Sequence, residues 1–399
     1  MLARWLLVLA AALGPRPAAA SDLPSLQLVE SFPVETTLDN PDLPEAHTVW
    51  LEMIRGARHS LDFAQFYVSN ESGSRLETIV SAIERAAARG VRVRFLTEEK
   101  FARTYPESLE RLDKQARIEV RRFDVGRVSG GVLHAKYFVV DRKDVFLGSQ
   151  NFDWRSLTHI QELGVVVRLP SVTRAMLDVF ETDWALAGGE AFTPRIPRET
   201  GFPVLVPQDG DTLRVTPVFS PEGQLPDKRL WDLPRLVDLI ASARQTLRVQ
   251  LLTYRSTGRD SVYFDTLETA LRGAAGRGVA VQLLLSDWCK RPGTLEGLQS
   301  LQSVPNIDVK LVTIPQAAAG FIPFARVIHA KYLVVDARAF WLGTSNWEKD
   351  YFYNSRNVGL IVEGSLARRL DQFFTDNWSS AYAFDLDACA TYEPPRIGP

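Results

Sequence analysis

The segment His134-Ala-Lys136-Tyr-Phe-Val-Val-Asp141, followed by Gly148-Ser149-Gln150-Asn151, decides the fold because its pattern occurs twice. The second copy is His329-Ala-Lys331-Tyr-Leu-Val-Val-Asp336, followed by Gly343-Thr344-Ser345-Asn346. In both copies one residue separates His from Lys, four separate Lys from Asp, and six separate Asp from Gly. Two of the five histidines of the chain lie in this pattern, which we therefore interpret as a true repeat.

The residue types of the motif are those that bind and attack a phosphate group. Because side chains alternate along a strand, His134 and Lys136 are predicted to share one face, with Asp141 on the other. The same parity gives Asp336 a structural role in the second copy. Ammonium, amide and hydroxyl groups donate hydrogen bonds, so both copies together predict a cage around an anion. The predicted cage consists of Lys136, Ser149, Asn151, Lys331, Thr344 and Asn346, beside His134 and His329.

Such a cage suits displacement at a phosphodiester, in which one histidine attacks phosphorus and the other protonates the leaving oxygen. Glu162 follows His134 by 28 residues, and Asn357 follows His329 by the same interval. A carboxylate that accepts Nδ1–H leaves Nε2 free to attack. We therefore predict that Glu162 supports His134 as nucleophile and that His329 is the general acid. The alternative for Glu162 is a solvated charge at a strand end. No cofactor and no metal site is predicted.

Outside the motif, the two halves of the chain repeat one plan of helices and strands. A helix at residues 76–89 ends at Gly90 and precedes an alternating strand at 91–96. Its counterparts are a helix at 264–277 and a strand at 279–285. A strand, helix, strand order predicts a parallel sheet. The expected fold class is α/β, with two pseudo-symmetric α-β-α halves whose central sheets pack into one body.

The sequence also predicts an export signal and the boundaries of each half. Arg4, an apolar run at residues 5–13 and the Ala18-Ala-Ala20 site are typical of a cleavable signal peptide. A membrane anchor would need roughly 20 apolar residues. The predicted segments are a signal peptide (1–20), an N-terminal extension (21–45), a first half (46–190), a Pro-rich connector (191–226) and a second half with a C-terminal tail (227–399). The predicted location is secreted or periplasmic, in preference to the lysosomal lumen.

Composition limits the function classes. Hydrophobic residues make up 46% of the chain and charged residues 24%, as in a soluble globular protein. The net charge of −2 excludes binding of nucleic acid through charge over the whole surface, so a local basic site would be required. Cys289 and Cys389 are the only cysteines. Export favours one disulfide between them; the alternative is two free thiols.

The doubled motif resembles the signature of the phospholipase D superfamily, whose two halves form one catalytic site. The segments Gly131-Val-Leu-His-Ala-Lys136 and Asp153-Trp-Arg-Ser-Leu-Thr158 resemble the animal endolysosomal branch, members 3 and 4, and the likeness covers nearly all of the chain after about residue 28. This resemblance implies 5′ exonuclease action on single-stranded DNA and RNA, transphosphatidylation of lipid, and a metal-free phosphohistidine mechanism. It also implies an acidic or extracytoplasmic setting.

Three functions compete. The first is a nuclease for single strands, in which aromatic side chains near strand ends stack on bases. The residues proposed for stacking are Tyr67, Trp154, Tyr254 and Trp347, each with a place in the core as its alternative. The second is a phospholipase D or transphosphatidylase that touches a membrane peripherally through the apolar segment 316–324. The third is a catalytically silent interaction protein, which the retention of both His-Lys pairs disfavours.

Overall fold

Two mixed β-sheets, one in each half of the chain, form the framework of the molecule. The computed structural model describes residues 23–193, 196–258 and 262–399. The predicted signal peptide at residues 1–20 therefore lies outside the described residues. Within these ranges, no helix combines the length and the apolarity that crossing a bilayer requires.

The first half contains nine strands and six helices among the described residues. Its strands are β1 (Leu26–Ser31), β2 (Ser60–Gln65), β3 (Val68–Ser69), β4 (Arg92–Glu98), β5 (Ile118–Phe123), β6 (Lys136–Val140), β7 (Asp144–Gly148), β8 (Phe152–Asp153) and β9 (Ile160–Val167). Its helices are α1 (Ala46–Gly56), α2 (Arg75–Ala88), α3 (Glu99–Thr104), α4 (Glu107–Asp113), α5 (Val125–Ser129) and α6 (Pro170–Ala187).

The second half repeats this arrangement. Its strands are β10 (Val204–Gln208), β11 (Asp211–Ser220), β12 (Thr246–Leu251), β13 (Ala280–Ser286), β14 (Ile307–Val312), β15 (Val327–Ile328), β16 (Tyr332–Val335), β17 (Ala339–Gly343), β18 (Asn357–Glu363) and β19 (Ala383–Asp385). Its helices are α7 (Asp232–Ala241), α8 (Thr266–Gly276), α9 (Leu295–Gln302), α10 (Lys349–Tyr353) and α11 (Leu366–Trp378). Short 3₁₀ turns lie at Glu222–Gln224, Lys228–Leu230 and Asp287–Lys290.

Each sheet places its motif hairpin beside a set of parallel strands. The first sheet has the order β1-β9-β7-β6-β2-β4-β5, and β15 of the second half pairs with β9. The second has the order β10-β11-β18-β17-β16-β12-β13-β14-β19. Strands β2, β4 and β5 are parallel, whereas β6 and β7 form an antiparallel hairpin. The α/β class and the internal repeat are confirmed, and the sheets are mixed rather than wholly parallel.

One hydrophobic core joins the halves. Tyr137 of β6, Phe180 of α6, Tyr332 of β16 and Phe373 of α11 belong to the same buried cluster. Helices α1 and α2 cover the outer face of the first sheet, and α7 and α8 cover that of the second. Because apolar burial spans the boundary between the halves, they form a single folded body.

Two segments expected to be irregular are strands. Residues 26–31 of the predicted extension form β1, which pairs with β9. Residues 204–220 of the predicted connector form the β10–β11 hairpin, and β11 pairs with β18. The prolines of this region favoured a loop, but the alternation of Leu213 and Val215 on the buried face decides its structure.

The motif aspartates fix the starts of strands. The carboxylate of Asp141 accepts backbone N–H bonds from Arg58, His59 and Ser60 at 2.7–3.0 Å. The carboxylate of Asp336 accepts the equivalent bonds from residues 244–246 at 2.8–2.9 Å. These bonds hold the pKa of both carboxyl groups below the usual value despite burial. Each aspartate therefore anchors the strand, β2 or β12, that lies beside its own motif strand.

The predicted disulfide is wrong. Cys289 and Cys389 are both free thiols. Cys289 is enclosed in the core of the second half, where it lies within hydrogen-bonding distance of the Leu252 carbonyl oxygen, and burial raises its pKa to about 12. Cys389 lies on the exposed C-terminal tail. An even number of cysteines could not reveal that one of them packs as a small apolar side chain.

Candidate active site

The two motif copies open onto one cleft between the halves, with a volume of about 240 Å³. His134 and Asn151 of the first copy and His329 and Asn346 of the second contribute to its lining. The other lining residues are Phe66, Tyr67, Phe101, Tyr105, Arg155, Ile160, Leu252, Trp288, Phe324, Val327 and Tyr351. The expectation that both histidines serve a single site therefore agrees with this geometry.

Each histidine-bearing segment is hydrogen-bonded to the opposite half. The His134 amide donates to the Arg356 carbonyl at 2.9 Å, and the His329 amide donates to the Gln161 carbonyl at 2.8 Å. Strand β15, which leads into His329, pairs in parallel with the start of β9. Each histidine-bearing segment therefore packs against the other half of the chain, and both imidazoles lie at the boundary between the halves.

This packing exchanges the expected partners of the imidazoles. Glu162 Oε2 lies 2.7 Å from Nδ1 of His329, and Asn357 Oδ1 lies 3.0 Å from Nδ1 of His134. The predicted pairing of Glu162 with His134 is therefore wrong. Equal spacing within each half suggested a partner from the same half, but the strand that carries each partner lies beside the other half's motif.

Buried polar groups fix both partners in place. Thr344 Oγ1 donates to Asn357 Oδ1 at 2.9 Å, and Asn357 Nδ2 donates to the Tyr351 carbonyl at 2.8 Å. The amide oxygen thus faces His134, whose Nδ1 carries the hydrogen. Ser156 donates to Glu162 Oε1 at 2.8 Å, and Ser149 lies between the backbone of Leu163 and the same carboxylate. Thr344 and Ser149, predicted to touch substrate, are instead fully buried behind the imidazoles.

Both motif lysines are buried beside their histidines. Lys136 Nζ donates to the His134 carbonyl at 2.7 Å, and Lys331 Nζ donates to the His329 carbonyl at 2.5 Å. Burial lowers the pKa of Lys331 to about 7, an effect that Glu162 partly offsets, and burial and the charge of Lys331 hold the pKa of Lys136 well below its usual value. Burial also raises the pKa of Glu162 to about 7. An anion that enters beside the lysines would stabilise their ammonium forms.

Burial and the lysine charges also hold the pKa of His134 and of His329 well below the usual value. Both imidazoles are therefore neutral in the free protein at neutral pH. Asn346 Oδ1 accepts from the Thr253 amide at 3.3 Å, while its Nδ2 donates to the Tyr351 hydroxyl at 3.3 Å. Asn151 is nine-tenths buried at the equivalent position on the other side. The site thus brings two lysines, two amides and two neutral imidazoles together at one cleft.

The predicted stacking residues are only partly in the cleft. Tyr67 lines it and donates a hydrogen bond to Asp153 at 2.8 Å. Tyr254 and Trp347 do not line it, because both are buried in the core of the second half. Trp154 packs edge-on against His159, with ring centroids 5.5 Å apart, outside the cleft lining. The alternating pattern near a strand end did not reveal which face was enclosed.

Sequence reasoning missed several aromatic residues of the cleft. Phe66 follows β2 directly, so the strand-end rule that selected Tyr67 could also have found it. Phe101 lies in α3, Tyr105 follows α3, and Trp288 lies in a 3₁₀ turn, where no sequence signal indicated the site. Tyr351 of α10 packs edge-on against His134, with ring centroids 4.8 Å apart.

Comparisons with known proteins agree with this architecture. The family model described as "Cardiolipin synthase, PLD-like domain" matches residues 50–184 and again residues 236–378. The Mus musculus 5′-3′ exonuclease PLD4 is 33% identical over 91% of this chain and 80% of its own length. Phospholipase D Z of Dictyostelium discoideum is 29% identical over 91% of each. The crystal structure of phosphatidylserine synthase from Haemophilus influenzae is similar in fold, with a TM-score of 0.62, 15% identity and coverage of 87% of each chain. The chain therefore belongs to the phospholipase D superfamily of phosphodiesterases, in the branch of family members 3 and 4.

Proposed function

We propose that this chain is an exported phosphodiesterase that degrades single-stranded nucleic acid from the 5′ end through a covalent phosphohistidine. One observation carries the chemistry: two neutral imidazoles, each held at Nδ1 by a partner from the opposite half, open onto one cleft beside two buried lysines. The relative at 33% identity is named a 5′-3′ exonuclease, which favours nucleic acid as the substrate.

The Nδ1 partners support roles for the two histidines that are the reverse of those expected from the sequence. Glu162 places an anion beside His329, which stabilises the positive charge that develops when Nε2 attacks phosphorus. His329 is therefore the nucleophile in our proposal, and the P–O bond to the leaving oxygen breaks opposite to it. His134, paired with the neutral Asn357, donates a proton from Nε2 to that oxygen. It then accepts a proton from water, which attacks the phosphohistidine and releases His329.

Substrate binding favours uptake from solvent of the proton that His134 later donates. In the free protein burial lowers the pKa of His134, and positive charge on Lys136 and Lys331 lowers it further. A phosphodiester anion between these groups offsets their charge, so the imidazolium form becomes accessible in the complex. The lysines and the amides of Asn151 and Asn346 hold the nonbridging oxygens, whose negative charge grows in the transition state.

Trapping of the intermediate tests this mechanism. A ³²P-labelled 4-nitrophenyl phosphodiester has a leaving group that departs without an acid. With this substrate His134→Ala should accumulate labelled protein, because the base that activates water is missing, whereas His329→Ala should remain unlabelled. EDTA should not prevent labelling of the wild type. Label in His329→Ala but not in His134→Ala would reverse the roles, and an absence of label in all proteins would refute the mechanism.

Cleavage assays on single-stranded and duplex oligonucleotides test the nuclease assignment. Purified protein should shorten a 5′-hydroxyl single-stranded oligonucleotide at pH 5 or pH 7.5 and should leave the matching duplex largely intact. N-terminal sequencing of the exported protein should begin at Ser21. A preference for the duplex, or cleavage only within a circular single strand, would contradict action from an end.

A second candidate function is a phospholipase D or transphosphatidylase. Phe324, 42% exposed, lines the cleft and belongs to the apolar segment 316–324, which offers an acyl chain a surface at the rim. The Dictyostelium relative is named a phospholipase D. Release of choline from phosphatidylcholine vesicles, with no shortening of the oligonucleotide, would replace the nuclease by this function.

A further inference from the structure

Four aromatic side chains form a continuous surface beside one of the two histidines. We name Phe66, Tyr67, Phe101 and Tyr105 the aromatic ladder; all four line the cleft and are half-buried. Phe101 lies 4.3 Å from Phe66 and 5.7 Å from Tyr67 between ring centroids, and Tyr67 lies 5.6 Å from Tyr105. Half-buried rings that form one wall of an open cleft present their remaining surface to a ligand.

The ladder belongs to only one side of the reaction. The ring of Phe66 lies 4.9 Å from that of His134, which also contacts Tyr351. Elsewhere in the lining, Ile160, Leu252 and Val327 pack in one cluster with Trp288, and Phe324 completes the lining. If His134 protonates the leaving oxygen, whatever is attached to that oxygen lies against the ladder. This step depends on the proposed roles of the histidines.

The charge around the ladder decides what kind of group it accepts. Lys136 Nζ lies 4.7 Å from the centroid of Phe66, and Arg155, paired with Asp153, lines the same cleft. A quaternary ammonium headgroup would also stack on aromatic rings, but the buried lysine repels it. In lipid hydrolysis the acyl chains stay with the phosphorus, so they do not reach this side. A nucleobase is flat, so it can stack on the rings, and it is neutral, so the lysine does not repel it.

We propose that the aromatic ladder is a leaving-group subsite that stacks the base of the nucleoside carrying the departing oxygen. This proposal rests on the proposed nuclease function and extends it by giving the two sides of the scissile phosphate different specificities. The base on the ladder side contributes strongly to turnover. The base on the His329 side, which faces mainly aliphatic groups, contributes less.

Dinucleotides that lack one base test this subsite. The substrates are d(TpT) and its two analogues in which one thymidine is replaced by an abasic tetrahydrofuran residue. The identity of the phosphorylated product from d(TpT) shows which nucleoside leaves. Removal of the base from that nucleoside should lower kcat/KM roughly 5- to 100-fold, the range expected for loss of one stacked base. Removal of the other base should change it less.

A matched pair of variants separates the ladder from the rest of the cleft. Phe101→Leu removes a flat ring in the middle of the ladder. The kcat/KM of this variant for d(TpT) should therefore be close to its kcat/KM for the leaving-side abasic analogue, with a ratio near one. Phe324→Leu makes the same replacement at a ring of the cleft lining outside the ladder and should retain the wild-type ratio. Thermal unfolding of both variants shows that they are folded.

The possible results are distinct. Equal kcat/KM for d(TpT) and the leaving-side analogue in the wild type, or an unchanged ratio in Phe101→Leu, would overturn the subsite while leaving the nuclease function standing. Hydrolysis of phosphatidylcholine vesicles without cleavage of any dinucleotide would overturn both proposals.

Discussion

Glu162 and Asn357 occupy equivalent positions in β9 and β18, yet one side chain is an anion and the other a neutral amide. Each is fully buried and accepts Nδ1–H from an imidazole of the opposite half. The carboxylate of Glu162 stabilises a positive charge on its partner, His329. The neutral amide of Asn357 does not, so in the proposal the charge of His134 depends on the bound substrate. In the proposed mechanism the two histidines therefore act differently because their Nδ1 partners differ.

Glu162→Gln should lower kcat by roughly 10²- to 10⁴-fold, by analogy with removal of the carboxylate in other catalytic triads. The matched change Asn357→Asp should raise the pKa of His134 and should therefore move the loss of acid catalysis to higher pH. Steady-state kinetics between pH 4 and pH 9 measure both effects. A Glu162→Gln variant within twofold of wild-type kcat would contradict the assigned role.

At this scale the sequence predicted which residues lie at the site better than it predicted their contacts. His134, His329 and both asparagines of the motif line the cleft as expected. The partner of each imidazole could not be predicted, because it depends on which strand lies beside β15 in the folded chain. Burial of Tyr254 likewise depends on packing rather than on alternation.

Among the secondary-structure elements, β2 and β12 each begin at residues anchored by a motif aspartate. Asp141→Asn and Asp336→Asn should each destabilise the protein by about 1–3 kcal/mol, because charge-assisted bonds to backbone N–H groups are weakened. The pKa of each carboxyl is lower in the folded than in the unfolded protein. The stabilisation by each carboxylate is therefore complete above the unfolded-state pKa and is lost as the pH falls through the folded-state pKa. Denaturant unfolding at pH 7 and pH 3 measures it. An equal loss at both pH values would contradict the cause.

Strand β1 carries a buried carboxyl group with the opposite pH dependence. Glu30 accepts two hydrogen bonds from Asn40, but burial raises its pKa to about 8 from 4.5. The folded state therefore binds a proton that the unfolded state releases, and stability from this group falls as pH rises from 4.5 to 8. The stability of wild type minus that of Glu30→Gln should decrease by a few kcal/mol over this range. Urea unfolding at pH 5 and pH 8 measures this difference in stability. If the difference is the same at both pH values, Glu30 does not hold the proton.

The elements that the sequence predicted are those with a clear period. The helix α2 and strand β4 follow the pattern of apolar residues and the stop at Gly90. Strands β1 and β11 were not predicted, because prolines in their segments favour loops when no pairing partner is known. Their partners, β9 and β18, are far away along the chain, so only the folded structure shows that these segments are sheet strands.

Across the whole molecule, one fully buried ion pair connects the two halves. Arg356, next to Asn357, binds both oxygens of Asp183 on α6 at 2.8–3.0 Å and donates to the Ser220 and Gln224 carbonyls. Asp183→Asn leaves the guanidinium without an anion and should cost about 3–5 kcal/mol. The exposed pair Arg214–Glu363, with both side chains 49% exposed, is a control, since Glu363→Gln should cost at most about 1 kcal/mol. Chemical denaturation measures both; equal losses would refute the importance of burial.

The packing of each histidine-bearing segment against the opposite half has a consequence for ancestry. In an ancestral chain with one motif, the same backbone hydrogen bonds would have to form between two identical subunits. Such a chain would have a complete active site only as a symmetric dimer. In such a pair the two imidazoles would have identical companions, so neither could be specialised. In a single chain that carries both motifs each partner can differ, and here an acidic side chain faces one imidazole and an amide faces the other.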